Sequence, residues 1–491
     1  MKRKAAKKLI LIIAAVLVLA LLAAGLLVLK KRNQLRATAM FGDFGERVNF
    51  TLTASGKTST VKGYYLSSEH NSYLSIRDLA SALSGTEKHF NVQRGSKVQW
   101  EINTSRNYVR TTKKENTPFA VVFPGSLSGT NDQQGRDGLL LYRPLISIDG
   151  DEQRVFWYYK ANGKGEPITD DAFVGVMDIG LLLGIELSFS SDTEISVDTN
   201  HDFTLDLDRL EQAEYFQDLN GLVLGNATTG ELICAWDAYS QQEIASTSKL
   251  MTWLLVQEAI DDGRLTLTST VKLSENAMRL SASADGKEFC RQSWSVGKEV
   301  TIKDLIAGML LPSSNECALA LAEATMLSYG FTDDLEAHFV QRMNDRAYEL
   351  GLKSARFYNA SGLPQYDTDQ ISAKHSNKMA ANELFHLGAY IMNHYREQFT
   401  AFSAQQTMAL HSFGDGIYAE SSYYEYLENY AVNGMKSGTT DRAGCCMVAS
   451  MDIKVNDEIQ TVIAVVLGAE NNKLRFEQTS ALLAYAKQYY R

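Results

Sequence analysis

A serine and a lysine stand three positions apart in the run IASTSKLMTWLL, residues 244–255. If the run is helical, Ser246 and Lys249 lie one turn apart on the same face. A serine hydroxyl becomes a nucleophile when a base lies within hydrogen-bond reach. Lysine can be that base once burial or nearby charge lowers its pKa from about 10.4. Hydroxyl residues before an apolar helix are also ordinary N-caps, so this spacing alone favours capping.

Two more short motifs follow. Ser313-x-Asn315 comes after a proline and opens an apolar helical pattern in MLLPSSNECALALAE, where capping is again the simpler interpretation. Lys436-Ser437-Gly438 precedes two segments typical of a β-strand pair. Its small residues would let a substrate strand lie close to the backbone. Each motif on its own carries little information.

Together and in this order, the three motifs resemble S-x-x-K, S-x-N and K-[ST]-G, the signature of penicillin-binding proteins and serine β-lactamases. Over about residues 214–491, the sequence closely resembles the low-molecular-mass D-alanyl-D-alanine carboxypeptidases. The resemblance rests on the segments ASTSKLMT, LLPSSNECALALAE, FYNASGLP and NGMKSGTTDRAGCCMVAS. The family more often has glycine at Ser314 and threonine at Ser437, and both departures keep the groups that the chemistry needs. The resemblance implies a penicillin-binding/β-lactamase-like transpeptidase fold, an antiparallel sheet with a helical subdomain.

The resemblance also implies catalytic roles. Ser246 would attack the D-Ala-D-Ala carbonyl and become the acyl-ester, Lys249 would take its proton, and Ser313 would relay a proton to the leaving D-alanine. The other motif residues would bind and orient the substrate: Asn315, Lys436, Ser437, Gly438, Thr439 and Thr440. Among them, Asn315 would also orient Lys249, and the hydroxyls of Ser437 and of Thr439 or Thr440 would bind the substrate carboxylate. Backbone N–H groups of Ser246 and of a residue just after Gly438 would form the oxyanion hole.

The implied activity is that of a serine D,D-carboxypeptidase acting on peptidoglycan stem peptides that end in D-Ala-D-Ala, with β-lactam antibiotics as acylating inhibitors. It requires no metal or organic cofactor. D,D-endopeptidase action on cross-links would use the same residues and stays open. A serine β-lactamase is disfavoured, because no E-x-x-L-N segment, used by class A enzymes for deacylation, lies between Ser313 and Lys436. A wall-binding or sensor protein is the non-enzymatic alternative, although none of the three motifs is eroded.

Composition narrows the alternatives further. A chain of 491 residues with 45% hydrophobic and 22% charged residues is typical of a globular protein of two or three domains. The net charge of −10 argues against a nucleic-acid partner, which would favour a basic face. The five cysteines include no C-x-x-C pair and the eight histidines no H-E-x-x-H spacing, so a metal site is not expected. Buried thiols are the default expectation, and one disulfide stays open.

The N-terminus predicts a membrane anchor. The uncharged run 9–29 would span about 32 Å as a helix, against about 30 Å for a bilayer core. Five basic residues precede it and three follow it, which predicts a cytoplasmic N-terminus and an extracytoplasmic remainder. A cleaved signal peptide is the rival interpretation, but its apolar region would be shorter. We therefore assign residues 1–32 to a cytoplasmic tail and single transmembrane helix in the cell membrane.

Residues 46–200 are interpreted as a separate two-repeat module. YLSIRDLASALSG and FVGVMDIGLLLGI share an apolar pattern, with Asp78 and Asp178 at the matching position. Alternating segments follow each, so two strand–helix–strand units are expected. The pattern resembles the N-terminal module of copper amine oxidases, although no copper ligands accompany it. A spacer or wall-interaction role is the preferred interpretation.

Residues 214–491 are predicted to form an α+β domain. GLVLGNATTGELICAWD indicates a hairpin turned at 227–230, and helices are expected over 248–259, 302–329 and 335–350. AGCCMVASMD and QTVIAVVLGAE indicate paired strands, followed by a closing helix over 475–490. One sheet built from both termini of the domain is expected. Asn359 and Gly362 are expected to shape a loop near the cleft, and the tyrosine-rich run 421–430 is interpreted as a surface loop for glycan contact.

Overall fold

A computed structural model describes residues 46–66, 71–95, 99–109, 138–142, 144–155, 157–161, 171–203, 216, 219–277, 295–364, 366–367, 370–371 and 375–490. These residues fall into two compact units that divide near residue 204. The run 9–29, predicted to cross the membrane, lies outside the described residues. Within the described ranges, none of the helices has the length and apolar character needed to span a bilayer.

The first unit is rich in strands. Its elements are β1 (Glu46–Ala54), β2 (Lys57–Leu66), β3 (Asn71–Ser75), α1 (Ile76–Ala82), β4 (Asn91–Arg94), β5 (Trp100–Asn103), β6 (Gly138–Tyr142), β7 (Leu145–Ile148), β8 (Asp151–Arg154), β9 (Trp157–Ala161), β10 (Phe173–Gly175), α2 (Val176–Leu183), β11 (Glu186–Ser191) and β12 (Glu194–Asp198). One sheet has the order β11-β12-β1-β2-β3-β10-β9-β6, and a second has the order β4-β5-β7-β8.

The two predicted repeats are present as matching elements. β3 runs directly into α1 and β10 directly into α2, and the two strands pair antiparallel with Leu74 opposite Val174. Asp78 and Asp178 both lie in the first turn of their helices, where a carboxylate favours the positive end of the helix dipole. Strands follow each helix, which confirms the strand–helix–strand prediction. The resemblance to the copper amine oxidase module stays a prediction.

The second unit contains the three motifs. Its strands are β13 (Gly221–Asn226), β14 (Leu232–Trp236), β15 (Gln242–Glu243), β16 (Thr270–Lys272), β17 (Glu299–Thr301), β18 (Tyr366–Asp367), β19 (Gln370–Ile371), β20 (Lys378–Met379), β21 (Thr407–Ala409), β22 (Tyr418–Glu420), β23 (Val432–Thr440), β24 (Gly444–Val455) and β25 (Glu458–Ala469). Its helices are α3 (Lys249–Asp261), α4 (Ile302–Leu310), α5 (Asn315–Ser328), α6 (Leu335–Glu349), α7 (Ala381–His394), α8 (Arg396–Ser403), α9 (Tyr424–Leu427) and α10 (Asn472–Tyr489), with 3₁₀ turns at Ala245–Ser248 and Glu428–Tyr430.

The main sheet joins the two ends of this unit. Its order is β14-β13-β25-β24-β23, and the predicted hairpin β13–β14 pairs with the late strand β25, Leu224 lying opposite Ala464. Seven consecutive residues of β25, 461–467, are buried, because α7 and α10 both pack against this strand. The predicted sheet from both termini and the α+β class are confirmed. β23, which carries Lys436-Ser437-Gly438, is an edge strand of the sheet.

A helical layer holds the other two motifs. α5 packs against α3, α4 and α6, and its residues 316–326 are all buried, so it is covered on every side, as expected of a central helix. Trp253 of α3 is fully buried, with its ring 4.7 Å from that of Phe399, edge to face. The predicted helical span 302–329 is interrupted at 311–314, between α4 and α5. Ser313 therefore lies in a connection between two helices.

The closing helix α10 begins three residues before its predicted start. Asn471 is its N-cap, since the Asn471 side chain accepts a hydrogen bond from the N–H of Leu474 at 3.0 Å. We predict that Asn471→Ala lowers the free energy of unfolding by about 1 kcal/mol, because this N–H loses its acceptor. The measurement is the urea unfolding midpoint of the full chain. Asn471→Ser should retain most of the stability, and equal midpoints for Asn471→Ala and wild type would contradict the capping role.

Candidate active site

The chain enters α3 through the 3₁₀ turn Ala245–Ser248. Ala245 has a left-handed backbone, φ +46°, and the Thr247 and Ser248 hydroxyls donate back to main-chain carbonyls of this region at 2.5 and 2.7 Å. No side chain caps α3, so the capping interpretation of this run is wrong. Ser246 is the one residue between positions 244 and 250 that is not buried. The turn therefore presents the Ser246 hydroxyl and hides its neighbours.

Lys249, the first residue of α3, is fully buried. Its Nζ lies 2.8 Å from Ser246 Oγ, 2.8 Å from Asn315 Oδ1 and 2.5 Å from the carbonyl oxygen of Ser361. Amide and carbonyl oxygens only accept hydrogen bonds, so both N–H groups of a neutral amine are drawn toward Asn315 and Ser361. The amine lone pair then faces Ser246, whose O–H can donate to it. This geometry suits proton transfer from Ser246 to Lys249.

A tight loop supplies the Ser361 carbonyl. Asn359 Oδ1 accepts from the N–H groups of Ser361 and Gly362 at 3.1 and 2.7 Å, and Asn359 Nδ2 donates to the Leu363 carbonyl at 2.6 Å. Gly362 has φ +85°, and a β-carbon there would collide with the carbonyl oxygen of Ala245. The predicted loop-shaping roles of Asn359 and Gly362 are confirmed.

Sequence reasoning missed two further supports of this loop. Asn377 donates from Nδ2 to the Asn359 carbonyl at 2.9 Å and accepts from the Tyr358 N–H at 2.7 Å. Thr252, one turn into α3, donates its hydroxyl to the carbonyl of Ala360 at 2.7 Å. Both side chains bond only to main-chain groups brought close by the fold, and no local sequence pattern marks such contacts.

The S-x-N motif divides capping and chemistry between adjacent residues. Ser314 is the N-cap of α5, accepting from the Cys317 N–H at 3.1 Å and donating to Glu316 Oε2 at 2.7 Å. The predicted capping therefore belongs to the middle residue. Ser313 has a left-handed backbone, φ +65°, an uncommon state for serine that costs of the order of 1 kcal/mol. Because Ser314 caps the helix, the Asn315 side chain can contact Lys249. Ser313 lies just before the cap, outside the helix.

The K-S-G motif precedes the strand pair β24–β25, as predicted, and itself lies within a further strand, β23, which pairs with β24. Gly438 lies against the 3₁₀ turn that carries Ser246. A β-carbon at Gly438 would lie 2.7 Å from the Ser246 nitrogen and 3.0 Å from Ala245 Cβ. The segment that lies so close to Gly438 is therefore the protein's own Ser246 turn. It brings the Ser246 N–H beside the edge strand.

The predicted substrate-binding side chains of β23 have different surroundings. Lys436 is fully buried and donates to the Ser437 carbonyl at 2.8 Å, while Ser437 Oγ lies 2.9 Å from Ser422 Oγ. Thr440 Oγ1 accepts from a main-chain N–H in the turn to β24, at 3.0 Å. Thr439 Oγ1 lies 3.0 Å from a nitrogen of Arg475. The carboxylate-binding roles of Ser437, Thr439 and Thr440 stay predictions.

Arg475 of α10 is a site residue that the motifs did not reveal. It is buried, and one guanidinium nitrogen donates to the carbonyls of Gly438 and Cys446 at 3.0 and 3.3 Å, as well as to Thr439. The other terminal nitrogen contacts the side chain of Asn472. A fixed positive charge thus supports β23 at Gly438. Arg475 lies in the polar run NNKLRFEQTS at the start of the closing helix, where an arginine attracts no special notice.

Four of the five cysteines lie in the described residues, and all four are thiols. Cys317, Cys445 and Cys446 are buried thiols, as predicted, whereas Cys234 is only half-buried and Cys290 lies outside the described residues. Burial raises the pKa of the Cys446 thiol to about 12, so it stays protonated at neutral pH. In the described part of the chain, no group of three or more His, Cys, Asp or Glu side chains is placed to hold a metal ion.

The fold and the convergence of Ser246, Lys249, Asn315 and Gly438 define the class of serine-lysine acyl-transfer proteins with a sheet-and-helix transpeptidase architecture. Comparison with known families agrees: the profile of the family "D-alanyl-D-alanine carboxypeptidase" matches residues 217–471, more than half of the chain. The chain belongs to this family.

Individual relatives are more distant. The chain is 29% identical to the D-alanyl-D-alanine carboxypeptidase DacF of Bacillus subtilis over 279 residues, which is 57% of this chain and 64% of DacF. It is 29% identical to DacD of Escherichia coli over 54% of this chain and 62% of DacD. The chain thus spans less than two thirds of these curated relatives. A crystal structure of PBP3, a peptidoglycan synthesis regulatory factor from Streptococcus pneumoniae, is similar at 28% identity and a TM-score of 0.46, over 55% of this chain and 79% of that one.

We predict that Gly438→Ala slows acylation of Ser246 about a hundredfold, because a displacement near 1 Å of the Ser246 turn has an effect of that order. The measurement is the rate of covalent labelling at Ser246. The control is Gly388→Ala, in the interior of α7, where the nearest atoms to a new β-carbon are the ends of the Ile463 and Met435 side chains, at 3.2 Å. That variant should keep a labelling rate near that of the wild type. Equal labelling rates of the two variants would contradict the contact between Gly438 and the Ser246 turn.

Proposed function

We propose that this protein is a serine-type D,D-carboxypeptidase that removes the terminal D-alanine from peptidoglycan stem peptides through an acyl-enzyme. The observation that carries the proposal is the buried Lys249 amine, 2.8 Å from Ser246 Oγ and held by Asn315 and Ser361. A base must lie within about 3.2 Å of the proton that it abstracts, and this one does. Membership of the carboxypeptidase family supports the substrate assignment.

Acylation would proceed from this geometry. The Ser246 proton passes to Lys249 Nζ as Oγ bonds to the carbonyl carbon of the penultimate D-alanine. The developing oxyanion accepts from the Ser246 N–H and from an N–H of β23 after Gly438, which the missing β-carbon of Gly438 brings close. Lys249 becomes an ammonium with Asn315 and Ser361 oxygens already around it. The positive charge is thus stabilised at the moment when it forms.

Collapse of the tetrahedral intermediate breaks the C–N bond. The leaving D-alanine amine takes a proton through Ser313, which α5 does not use for capping. Its carboxylate lies by Ser437, with the buried charge of Lys436 one residue away. Lys249 supplies the proton that Ser313 relays and is neutral again before deacylation. Water then attacks the ester carbonyl and gives a proton to Lys249, which returns it to Ser246 Oγ as the C–O bond breaks and the shortened peptide leaves. Every proton transfer is assigned to a side chain of this protein, so the proposal requires no cofactor.

The same chemistry makes β-lactam antibiotics the expected inhibitors, since opening of their ring would acylate Ser246 in the same way. We place the protein in the cell membrane, held by the predicted helix 9–29, with residues 46–200 as the stalk and the catalytic domain outside the cytoplasm. The sequence features that support this placement are the length of the apolar run and the excess of basic residues before it.

We predict that a fluorescent penicillin labels the purified protein and that Ser246→Ala abolishes the label, because no other residue supplies the acylated oxygen. The control is Ser248→Ala, whose hydroxyl donates to the Ala245 carbonyl at 2.7 Å and does not face Lys249. That variant should still be labelled. A wild-type protein that takes no label, or an equally labelled Ser246→Ala, would overturn the proposed function.

We further predict carboxypeptidase activity over endopeptidase activity. A free carboxylate on the leaving residue suits the buried ammonium of Lys436 and the hydroxyl of Ser437, which an internal cross-link would engage less directly. The measurement compares release of D-alanine from a pentapeptide with cleavage of a cross-linked dimer by the same sample. Faster cleavage of the dimer would assign endopeptidase activity instead, and rapid turnover of a β-lactam would assign the β-lactamase alternative.

A further inference from the structure

A single residue outside the three motifs touches two of the elements that carry them. Ser422 donates its backbone N–H to the carbonyl of Leu311, two residues before Ser313, at 3.1 Å. Its hydroxyl oxygen lies 2.9 Å from that of Ser437 on β23. Ser422 therefore joins the S-x-N connection to the K-S-G strand at the point where the leaving D-alanine is placed.

The segment around Ser422 is firmly anchored. Tyr423 is fully buried, with its hydroxyl donating to the Ser403 carbonyl at 2.7 Å and lying 3.3 Å from the Met435 carbonyl. Burial raises the pKa of Tyr423, so the phenol keeps the proton that it donates. Ser421 accepts from the Tyr424 N–H at 3.0 Å. The tyrosine-rich run, interpreted from sequence as a surface loop for glycan contact, thus begins with a buried anchor.

The side chains of Ser422 and Ser437 differ in how far they are buried. Ser437 is 4% exposed, whereas Ser422 is intermediate, so the pair lies at the boundary between the protein interior and the surface. A hydroxyl has one hydrogen to donate, and in the pair one of the two is donated to the other. A carboxylate has only acceptors and can draw both hydrogens toward itself. Both hydroxyls can therefore donate to an anionic group, and hydrogen bonds to a charged acceptor are stronger than those that the pair could make with a neutral amide.

We propose that Ser422 is a specificity-determining residue, whose hydroxyl binds the terminal carboxylate of the substrate together with that of Ser437. This inference rests on the proposed function and adds a residue to it. The anchored segment fixes the Ser422 hydroxyl before substrate arrives, which lowers the ordering cost on binding. The Ser422–Ser437 pair then selects peptides with a free C-terminal carboxylate. The buried charge of Lys436 beside Ser437 supports the same selection.

The test measures kcat/KM for a peptide ending in D-Ala-D-Ala and for the same peptide with a C-terminal amide. In Ser422→Ala we expect kcat/KM for the free acid to fall about tenfold to a hundredfold, the effect of one lost hydrogen bond to a charged group. The amide should change little, so the ratio between the two substrates falls. Ser422→Thr, which keeps the hydroxyl, should restore the ratio. If Ser422→Ala folds poorly, Ser422→Cys replaces it in the test. Its thiol has a similar volume but is a weak donor, so we expect the same loss.

A purely structural role would lower both activities equally and leave their ratio unchanged, and that result would overturn the inference while the proposed function stands. An unchanged ratio in both Ser422→Ala and Ser422→Cys would do the same. A wild-type protein that neither releases D-alanine nor becomes acylated at Ser246 would overturn the proposed function, and this inference with it.

Discussion

The interaction on which the site depends is the burial of the Lys249 amine against three oxygens. Burying a polar amine away from water is costly unless polar partners replace the solvent. Here the partners come from three separate segments: the turn with Ser246, the start of α5 with Asn315, and the loop with Ser361. The lysine is therefore both the candidate base and the group around which these segments must assemble.

This requirement explains the unusual backbone around the lysine. The turn approaches β23 so closely that only glycine fits at position 438, and it approaches the Ser361 loop so closely that only glycine fits at 362. Ala245, between these two contacts, adopts a left-handed conformation that is uncommon for alanine. The main chain thus surrounds Ser246 on two sides. Strain concentrated at one point of a well-packed unit is typical of sites where geometry serves chemistry.

The sequence predicts the elements well and the contacts between them poorly. The hairpin, the paired strands β24 and β25 and the α3 helix follow from local apolar patterns that the tertiary structure does not override. The motif order also predicts that Ser246, Lys249 and Asn315 converge. Asn377 and Arg475, in contrast, act on main-chain carbonyls far away in sequence, and a side chain that binds a carbonyl leaves no periodic pattern. The start of α10 was misplaced for a related reason, because its cap, Asn471, lies outside the apolar period.

Ser314 separates the capping of α5 from the two neighbouring residues that face the site. A glycine at the N-cap offers no side-chain acceptor, and the first N–H groups of α5 then need another partner. Ser314 supplies that acceptor to Cys317 and directs its own proton to the buried Glu316 carboxylate, so the hydroxyl is satisfied in both directions. The carboxylate also lies in the first turn of α5, where the helix dipole favours it. Because the Ser314 hydroxyl is used by the helix end, the Asn315 side chain remains available for its contact with Lys249. The cap is thus formed between the two residues of the motif that are predicted to take part in the chemistry.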